Sequence, residues 1–404
     1  MTKGVGGSTA ARELAALGPW PDPAPPITAG ERAARRERAR DLAAREGADA
    51  LIVGAGASLR YFAGVAWGAS ERFVAMILPA KGGAPVFICP AFERGSLKAS
   101  LDGALAAEAD IQCWEEHEDP YALTADILNR LAVRRAALDP DMAFGMAARL
   151  ADAAREIEVV PGAAIIDGCR MRKSPAEIAL MRQAKSMTLE VHRRAARILA
   201  PGIATADVRH FINEAHRRLG AAGSTFCIVL FGEATSYPHG VPGEQILREG
   251  DVVLIDTGCA VEGYNSDITR TYVFGEPRAD VRRIWEVEKA AQEAAFEAAR
   301  LGAPCESVDA AARRVLAQNG LGPDYRLPGL PHRAGHGVGL SIHEAPYLVR
   351  GDATPLDVGM CFSNEPMIVV PGRFGVRLED HFYMSERGPV WFTQPSPSLD
   401  APFG

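Results

Sequence analysis

The sequence predicts an α+β chain of two domains: a smaller α/β domain over residues 28–166, and a larger domain of hairpins and long helices over 167–404. Three observations carry that prediction. At 404 residues the chain exceeds what one hydrophobic core ordinarily serves. Short apolar runs alternate with helical stretches through the first part of the chain. Farther on, two hairpin-like segments, each bearing a pair of carboxylates, lie among four long helical stretches.

Residues 1–27 are rich in Ala, Gly and Pro and include Arg12 and Glu13, with no unbroken apolar run of the kind a signal peptide needs. They read as a loose leader. A charged helix follows over 28–47, and its run from Arg32 to Arg40 alternates with Ala and Glu, as a solvated face would. Strands are expected at Ala50–Val53, Phe73–Leu78 and Pro85–Ile88, with helices near 121–132 and 143–155. The domain break belongs near Ala163–Asp167. Beyond it, helices are expected at about 175–200, 205–221, 278–300 and 306–319.

The first hairpin runs from Asp251-Val-Val-Leu-Ile-Asp256-Thr-Gly258 to the β-rich Tyr264-Asn-Ser-Asp267-Ile-Thr-Arg-Thr-Tyr-Val-Phe274. A two-residue turn at Val261-Glu262 sets Asp256 directly opposite Asp267, on one face, with Cβ atoms about 5 Å apart. The second joins Ser363-Asn-Glu365-Pro-Met-Ile-Val-Val370 to Gly375-Val-Arg377-Leu-Glu379-Asp380 through Pro371-Gly-Arg373. Glu365 and Glu379 are symmetric about Gly372 and oppose each other in the same way, unless a bulge shifts the register.

With His336, these four acids make a hard, oxygen-rich donor set holding a single imidazole. Two divalent metals held close together need bridging carboxylates to offset their repulsion, and this set suits Mn²⁺, Co²⁺, Fe²⁺ or Zn²⁺ better than a structural zinc site does. An acid at a strand end is usually a solvated turn residue. Several acids gathered and buried without a cation would instead cost several kcal/mol. The pattern points to a dinuclear metallohydrolase.

His336 sits in Pro331-His-Arg-Ala-Gly-His336-Gly-Val-Gly-Leu-Ser-Ile-His343-Glu-Ala-Pro346, so His332, His336 and His343 fall within twelve residues. The surrounding glycines permit close backbone approach. His239 lies in a Pro/Gly-punctuated loop, whereas His192, His210 and His216 lie in charge-rich helical stretches and read as surface residues.

Composition excludes other classes. Hydrophobic content of 48% and charge of 24% are those of a soluble globular protein. A net charge of -7 speaks against nucleic acid as a partner. No eighteen-residue apolar window exists, which speaks against a membrane span. The seven cysteines are odd in number and scattered, with no CxxC, and read as reduced packing residues of a cytoplasmic protein.

The segments around His239, Asp256-Thr-Gly, Tyr264-Asn-Ser-Asp267-Ile-Thr-Arg-Thr, Gly335-His336-Gly, Glu365-Pro and Val376-Arg377-Leu-Glu379-Asp380 resemble the pita-bread metallopeptidases (peptidase family M24). That family includes methionine aminopeptidase, aminopeptidase P and prolidase. Met171-Arg-Lys-Ser-Pro-Ala-Glu-Ile resembles the start of the catalytic domain in the proline-specific branch, and the N-terminal portion is similar to the creatinase/prolidase N-terminal domain.

The resemblance implies a pita-bread catalytic domain with pseudo-twofold halves. It implies two divalent metal ions per subunit, Mn²⁺ first, with Co²⁺, Zn²⁺ or Fe²⁺ as alternatives. Asp256 would hold one metal, His336 and Glu365 the other, with Asp267 and Glu379 bridging. Glu365 would take the proton of the attacking, metal-bridging water. His239 and His343 would stabilise the tetrahedral intermediate or pass a proton to the leaving nitrogen.

For substrate, the resemblance implies a small Xaa-Pro peptide and the activity of an Xaa-Pro dipeptidase (prolidase). Arg377, matching the arginine prolidases carry there, His332 and Arg350 are the candidates to read its carboxylate. Xaa-Pro aminopeptidase, and a non-peptide amidohydrolase such as ectoine hydrolase, share the same motifs. Metal-free creatinase and a non-catalytic peptide platform would have lost ligands that are all present. The stretch Met367-Ile-Val-Val370 departs from the Gly-apolar-Tyr many members carry after Glu-Pro. A homodimer is also implied, with Leu59–Ala63 and Trp67–Arg72 facing the other chain's cleft.

Overall fold

The computed structural model describes residues 2–404. They form two compact units, Ile27–Arg170, and a second that joins the chain up to Pro26 with Met171–Gly404.

In Ile27–Arg170, a six-stranded mixed sheet runs in the order Asp110–Trp114, Val86–Pro90, Ala75–Pro79, Ala50–Gly54, Arg135–Leu138, Glu158–Pro161. The three central strands found in the sequence are there, because their apolar runs are buried on both faces. The three outer strands are half-exposed or short, and they carried no comparable signal. The helix Ala29–Arg45 is capped by Thr28, whose hydroxyl accepts from Glu31 N at 3.2 Å. Its arginines correct the expectation of a wholly solvated face. Arg35 and Arg36 are buried and donate to the carbonyls of Tyr61 and Phe62 at 3.1 and 2.7 Å. Those carbonyls end the helix Ala57–Ala63, where unpaired C=O groups gather and a cation is favoured. Leu59–Ala63 is therefore core of this unit rather than a free face, whereas Trp67–Arg72 is half-buried to exposed.

The expected break at Ala163–Asp167 is occupied by a helix, Ala163–Arg170. The leader is not loose either. Gly6 and Ser8 donate to the carbonyls of Ala196 and Arg197 at 2.9 and 3.0 Å. The short helix Ala10–Ala15 buries Glu13, which pairs with Arg194 at 3.1 Å and Arg197 at 3.5 Å. Trp20 N bonds Leu219 O at 2.9 Å.

The larger unit sets long helices beside antiparallel sheets, as the resemblance leads one to expect. Helix Pro175–Arg197 opens with a capping box: Ser174 Oγ accepts from Glu177 N at 3.2 Å, and the Glu177 carboxylate accepts from Ser174 N at 2.9 Å. Pro175 takes the first helical turn, where its missing N–H costs nothing. This helix and Thr205–Arg218 accompany a three-stranded sheet ordered Ile268–Val273, Val252–Gly258, Phe226–Phe231. Helices Ala279–Ala298 and Glu306–Gln318 accompany a five-stranded sheet ordered Glu344–Leu348, Gly335–Gly337, Cys361–Asn364, Asp380–Ser385, Gly388–Trp391. Two hairpins form separate two-stranded sheets, Ala260–Val261 with Tyr264–Asn265 and Met367–Val370 with Phe374–Arg377.

His192 and His216 are buried, not surface residues. His192 Nε2 lies 2.9 Å from Ile268 O, and His216 lies 3.1 Å from Thr188 Oγ1 and 2.9 Å from Ser224 Oγ. Their helices are amphipathic, and a satisfied imidazole is tolerated on the apolar face. His210 is exposed as expected. All seven cysteines are free thiols, five of them buried. Among the described residues, no helix is long and apolar enough to cross a membrane.

Candidate metal centre

Asp256 lies on Val252–Gly258, between Ile228 on one neighbouring strand and Thr269 on the other. Thr269, not Asp267, is its cross-strand partner. The turn is Glu262-Gly263, at φ +50° and +79°, so Val261 pairs with Tyr264. That displaces the register by two residues from the symmetric arrangement. Because side chains alternate with a period of two, the shift keeps Asp267 on the Asp256 face as a diagonal neighbour.

The second hairpin keeps its expected register. Ser363 opposes His381, Asn364 opposes Asp380, and Met367 opposes Arg377, which leaves Glu365 across from Glu379 where the ladder breaks at Pro366. Both N–H groups turn outward at the break, Glu365 N to Ala334 O at 2.8 Å and Glu379 N to Thr269 O at 3.2 Å. The hairpin opens there and presents its two carboxylates inward.

His336 sits on the three-residue strand Gly335–Gly337. A Cβ at Gly335 would run into the Ser363 carbonyl, and one at Gly337 into the Glu344 carbonyl, so only glycine lets these backbones close. Nδ1 lies 2.9 Å from Gly337 O, which assigns the proton to Nδ1 and leaves the Nε2 lone pair facing the acids. Nε2 is 3.1 Å from Glu365 Oε1 and 4.0 Å from Asp267 Oδ2. Ser363 Oγ holds both partners, accepting from His336 N at 2.9 Å and donating to Glu365 Oε1 at 3.1 Å.

The electrostatics mark a place for a cation. Burial, then the charges of Glu379, Asp256 and Glu365, push the Asp267 carboxyl well above its ordinary range. Burial, then Glu365 and Asp256, do the same to Glu379 against the opposing pull of Arg377 and the Thr269 hydroxyl. Burial would raise Glu365 as well, but His336, His332 and Arg377 outweigh it and hold that carboxyl low. Asp256 Oδ1, Asp267 Oδ1, His336 Nε2 and Glu379 Oε1 are all buried without a hydrogen-bond partner. His336, Glu365 and Glu379 bring ligand atoms within 4.8 Å of one another, with Asp267 in an overlapping group beside them and Asp256 in none, and buried unpaired acceptors gathered this way fit a divalent cation.

Around them opens a cavity of about 630 Å³, lined among others by Phe226, Ile228, His239, His332, Arg333, Ile342, His343 and Arg377. His343 is exposed, with its ring 4.1 Å from that of His336; burial and then His336 lower its pKa to about 4. His239 is exposed beside Pro238. His332 bonds its neighbour's carbonyl at 2.7 Å, and burial lowers its pKa.

Arg377 is present but engaged. Its guanidinium donates to Asp256 Oδ2 at 2.5 Å, Thr269 Oγ1 at 3.0 Å and Pro238 O at 3.1 Å. It orients Asp256 while still lining the cavity. Arg350 does not reach the cavity at all; it is exposed and paired with Asp324. Arg333, not among the residues predicted from sequence, also lines the cavity; its guanidinium lies 4.4 Å over the Tyr347 ring, with no acid partner among the described residues. Its position beside His332 was the available signal. The apolar wall residues Phe226 and Ile228 were also missed, although their alternation in Phe226-Cys-Ile228 suits one face of a strand.

Residues 179–386 match Metallopeptidase family M24, and residues 35–172 match the Creatinase/Prolidase N-terminal domain. A probable dipeptidase, PepE, of Mycobacterium tuberculosis is 40% identical over 356 residues, covering 86% of this chain and 92% of that protein. A putative dipeptidase, YkvY, of Bacillus subtilis is 33% identical over 77% of this chain and 84% of its own. The solved dipeptidase PepE of Mycobacterium ulcerans superposes with a TM-score of 0.86 at 35% identity, covering 94% of this chain and all of that one. A prolidase from Thermococcus sibiricus gives 0.81 at 29% identity, over 89% of this chain and 96% of that one.

Proposed function

This chain belongs to metallopeptidase family M24 and is a metal-dependent hydrolase, and on that premise we propose that it is an Xaa-Pro dipeptidase, cleaving the amide before a C-terminal proline. The observation that carries the proposal is the set of orphaned acceptors on Asp256, Asp267, His336 and Glu379 at the floor of a cavity of about 630 Å³. That volume suits a small ligand. The relatives named as dipeptidases and prolidases support the same substrate class.

Asp256, Asp267, His336, Glu365 and Glu379 are the proposed ligands of two divalent ions, Mn²⁺ first, with Co²⁺, Zn²⁺ and Fe²⁺ as alternatives. When bound, such ions polarise the scissile carbonyl and bring the pKa of water towards neutrality. The protein's own groups do the rest. Glu365, its carboxyl held low against the upward pull of burial, accepts the proton of the attacking water. Neutral His343, with His239 across the cavity, offers an N–H to the oxygen on which charge develops. The proton taken up by Glu365 then passes to the proline nitrogen, relayed through one of these imidazoles, which accepts it at one ring nitrogen as it releases one from the other, so that the nitrogen leaves protonated. Arg377 fixes Asp256. Arg333 joins Arg377 on the cavity wall as a candidate to face a free carboxylate, and Arg350, outside the cavity, does not. A homodimer in the cytoplasm completes the proposal, and the all-thiol cysteine set supports the compartment.

Turnover of Ala-Pro and Leu-Pro, against Ala-Pro-Ala and ectoine, tests this with Mn²⁺ added and after chelation. Metal-dependent cleavage confined to the dipeptides is expected. Preference for the tripeptide would make the chain an Xaa-Pro aminopeptidase, and turnover of ectoine alone a non-peptide amidohydrolase.

A further inference from the structure

His381 is fully buried, and neither of its ring nitrogens has a hydrogen-bond partner. Other core histidines in this chain keep at least one bond: both nitrogens of His216 are bonded, and Nε2 of His192 is, although its Nδ1 is not. His381 stands two residues after Glu379, a spacing that returns the side chain to the same strand face, and it opposes Ser363, which holds Glu365. Its Nε2 lies 3.6 Å from Glu379 Oε1, itself an orphaned buried acceptor. Atoms of Asp267, Glu379 and His381 all fall within 4.8 Å of one another.

The 3.6 Å spacing is too long for an N–H···O bond. It is close to the separation of two donors sharing one ion: bonds of about 2.0–2.2 Å set neighbouring ligands about 3–3.6 Å apart. We propose that His381 is a sixth protein ligand of the centre, adding a second imidazole to the five residues already named. The inference rests on the metal-centre reading above and extends it. A nitrogen donor here moves the site from the Mn²⁺ preference of an oxygen-rich set towards Co²⁺, Zn²⁺ or Fe²⁺.

The test is the number of imidazoles on the metal, read without reference to turnover. In Co²⁺-loaded protein, each coordinated imidazole gives a strongly shifted, solvent-exchangeable N–H proton resonance. Two are expected in the unmodified chain, and one each in His381→Asn and His336→Asn, while His343→Asn keeps both. Zinc X-ray absorption on the unmodified chain counts two imidazoles independently of any variant's folding. The Zn²⁺-to-Mn²⁺ affinity ratio of His381→Asn is expected to fall roughly tenfold or more. One imidazole in the unmodified chain, or a His381→Asn spectrum that keeps both resonances, would overturn the inference while leaving the five-ligand centre intact. Failure of the unmodified chain to bind Co²⁺ or Zn²⁺ would bring down the centre itself, and His381 with it.

Discussion

At the scale of single residues, the centre is a problem of like charges. Asp267 and Glu379 sit among other acids, and burial and those neighbours raise both. Glu365 escapes that fate: burial would raise it too, but its charged neighbours, Arg377 among them, hold its carboxyl low. Glu365→Gln keeps an oxygen donor but removes the proton acceptor. Its kcat is expected to fall by about 10²–10⁴-fold with metal content largely retained, as read by steady-state kinetics beside elemental analysis. Equal activity would remove Glu365 from its proposed role. Burial, then His336, bring His343 to about 4, so it stays neutral from pH 5 to 8. His343→Asn should therefore lower kcat without moving the acid limb of the pH–rate profile in that range. A displaced limb would mean that His343 titrates there.

The residue types were legible because chemistry restricts them: four acids and one imidazole in sequence order have few other uses. The office of Arg377 was not. Its alternation places it on the Glu379 face, but only three dimensions put Asp256 within reach of its guanidinium.

At the scale of elements, the two hairpins show what turn chemistry decides. Pro371-Gly-Arg373 with Gly372 at φ +67° delivers the symmetric register. In the first hairpin, Gly263 takes a left-handed φ, and Glu262 follows it there, which moves the turn by one residue and the register by two. The face survived the error because two is the pleat period. The outer strands of the N-terminal sheet and the burial of Arg35 and Arg36 were not legible, since each depends on which distant carbonyls arrive.

Behind the hairpins, Arg270 and Asp380 form a fully buried pair at 2.7 Å, and Arg270 also donates to the carbonyls of Thr269 and Glu379 at 3.1 and 3.0 Å. This pair fixes the backbone of one proposed ligand. Arg270→Met leaves the Asp380 carboxylate buried without its guanidinium and is expected to cost about 3–5 kcal/mol of unfolding free energy in urea. The double change Arg270→Met with Asp380→Leu should recover part of that loss. A double variant no more stable than Arg270→Met would show that the pair acts through backbone contacts rather than charge.

For the whole molecule, the raised carboxyls tie stability to pH. A carboxyl raised in the folded chain binds more protons there than when unfolded, so stability falls as pH rises from about 4 through the raised values. A divalent ion relieves that penalty most where the acids would otherwise be ionised. The rise in melting temperature on adding Mn²⁺ to chelated protein is therefore expected to grow from pH 5 to pH 8, as followed by thermal unfolding. A constant or shrinking rise would contradict this assignment of the charges. Two units were legible from length and alternation. Attachment of the chain up to Pro26 to the larger unit was not, because it rests on backbone bonds to Ala196, Arg197 and Leu219 that no local pattern announces.

The most direct test is a titration of fully chelated protein with Mn²⁺, following Ala-Pro hydrolysis and bound metal together. No turnover is expected without metal, with activity rising to a plateau at two ions per chain. Turnover that survives chelation, or a chain that takes up two ions and still leaves Ala-Pro intact, would contradict a dinuclear Xaa-Pro dipeptidase.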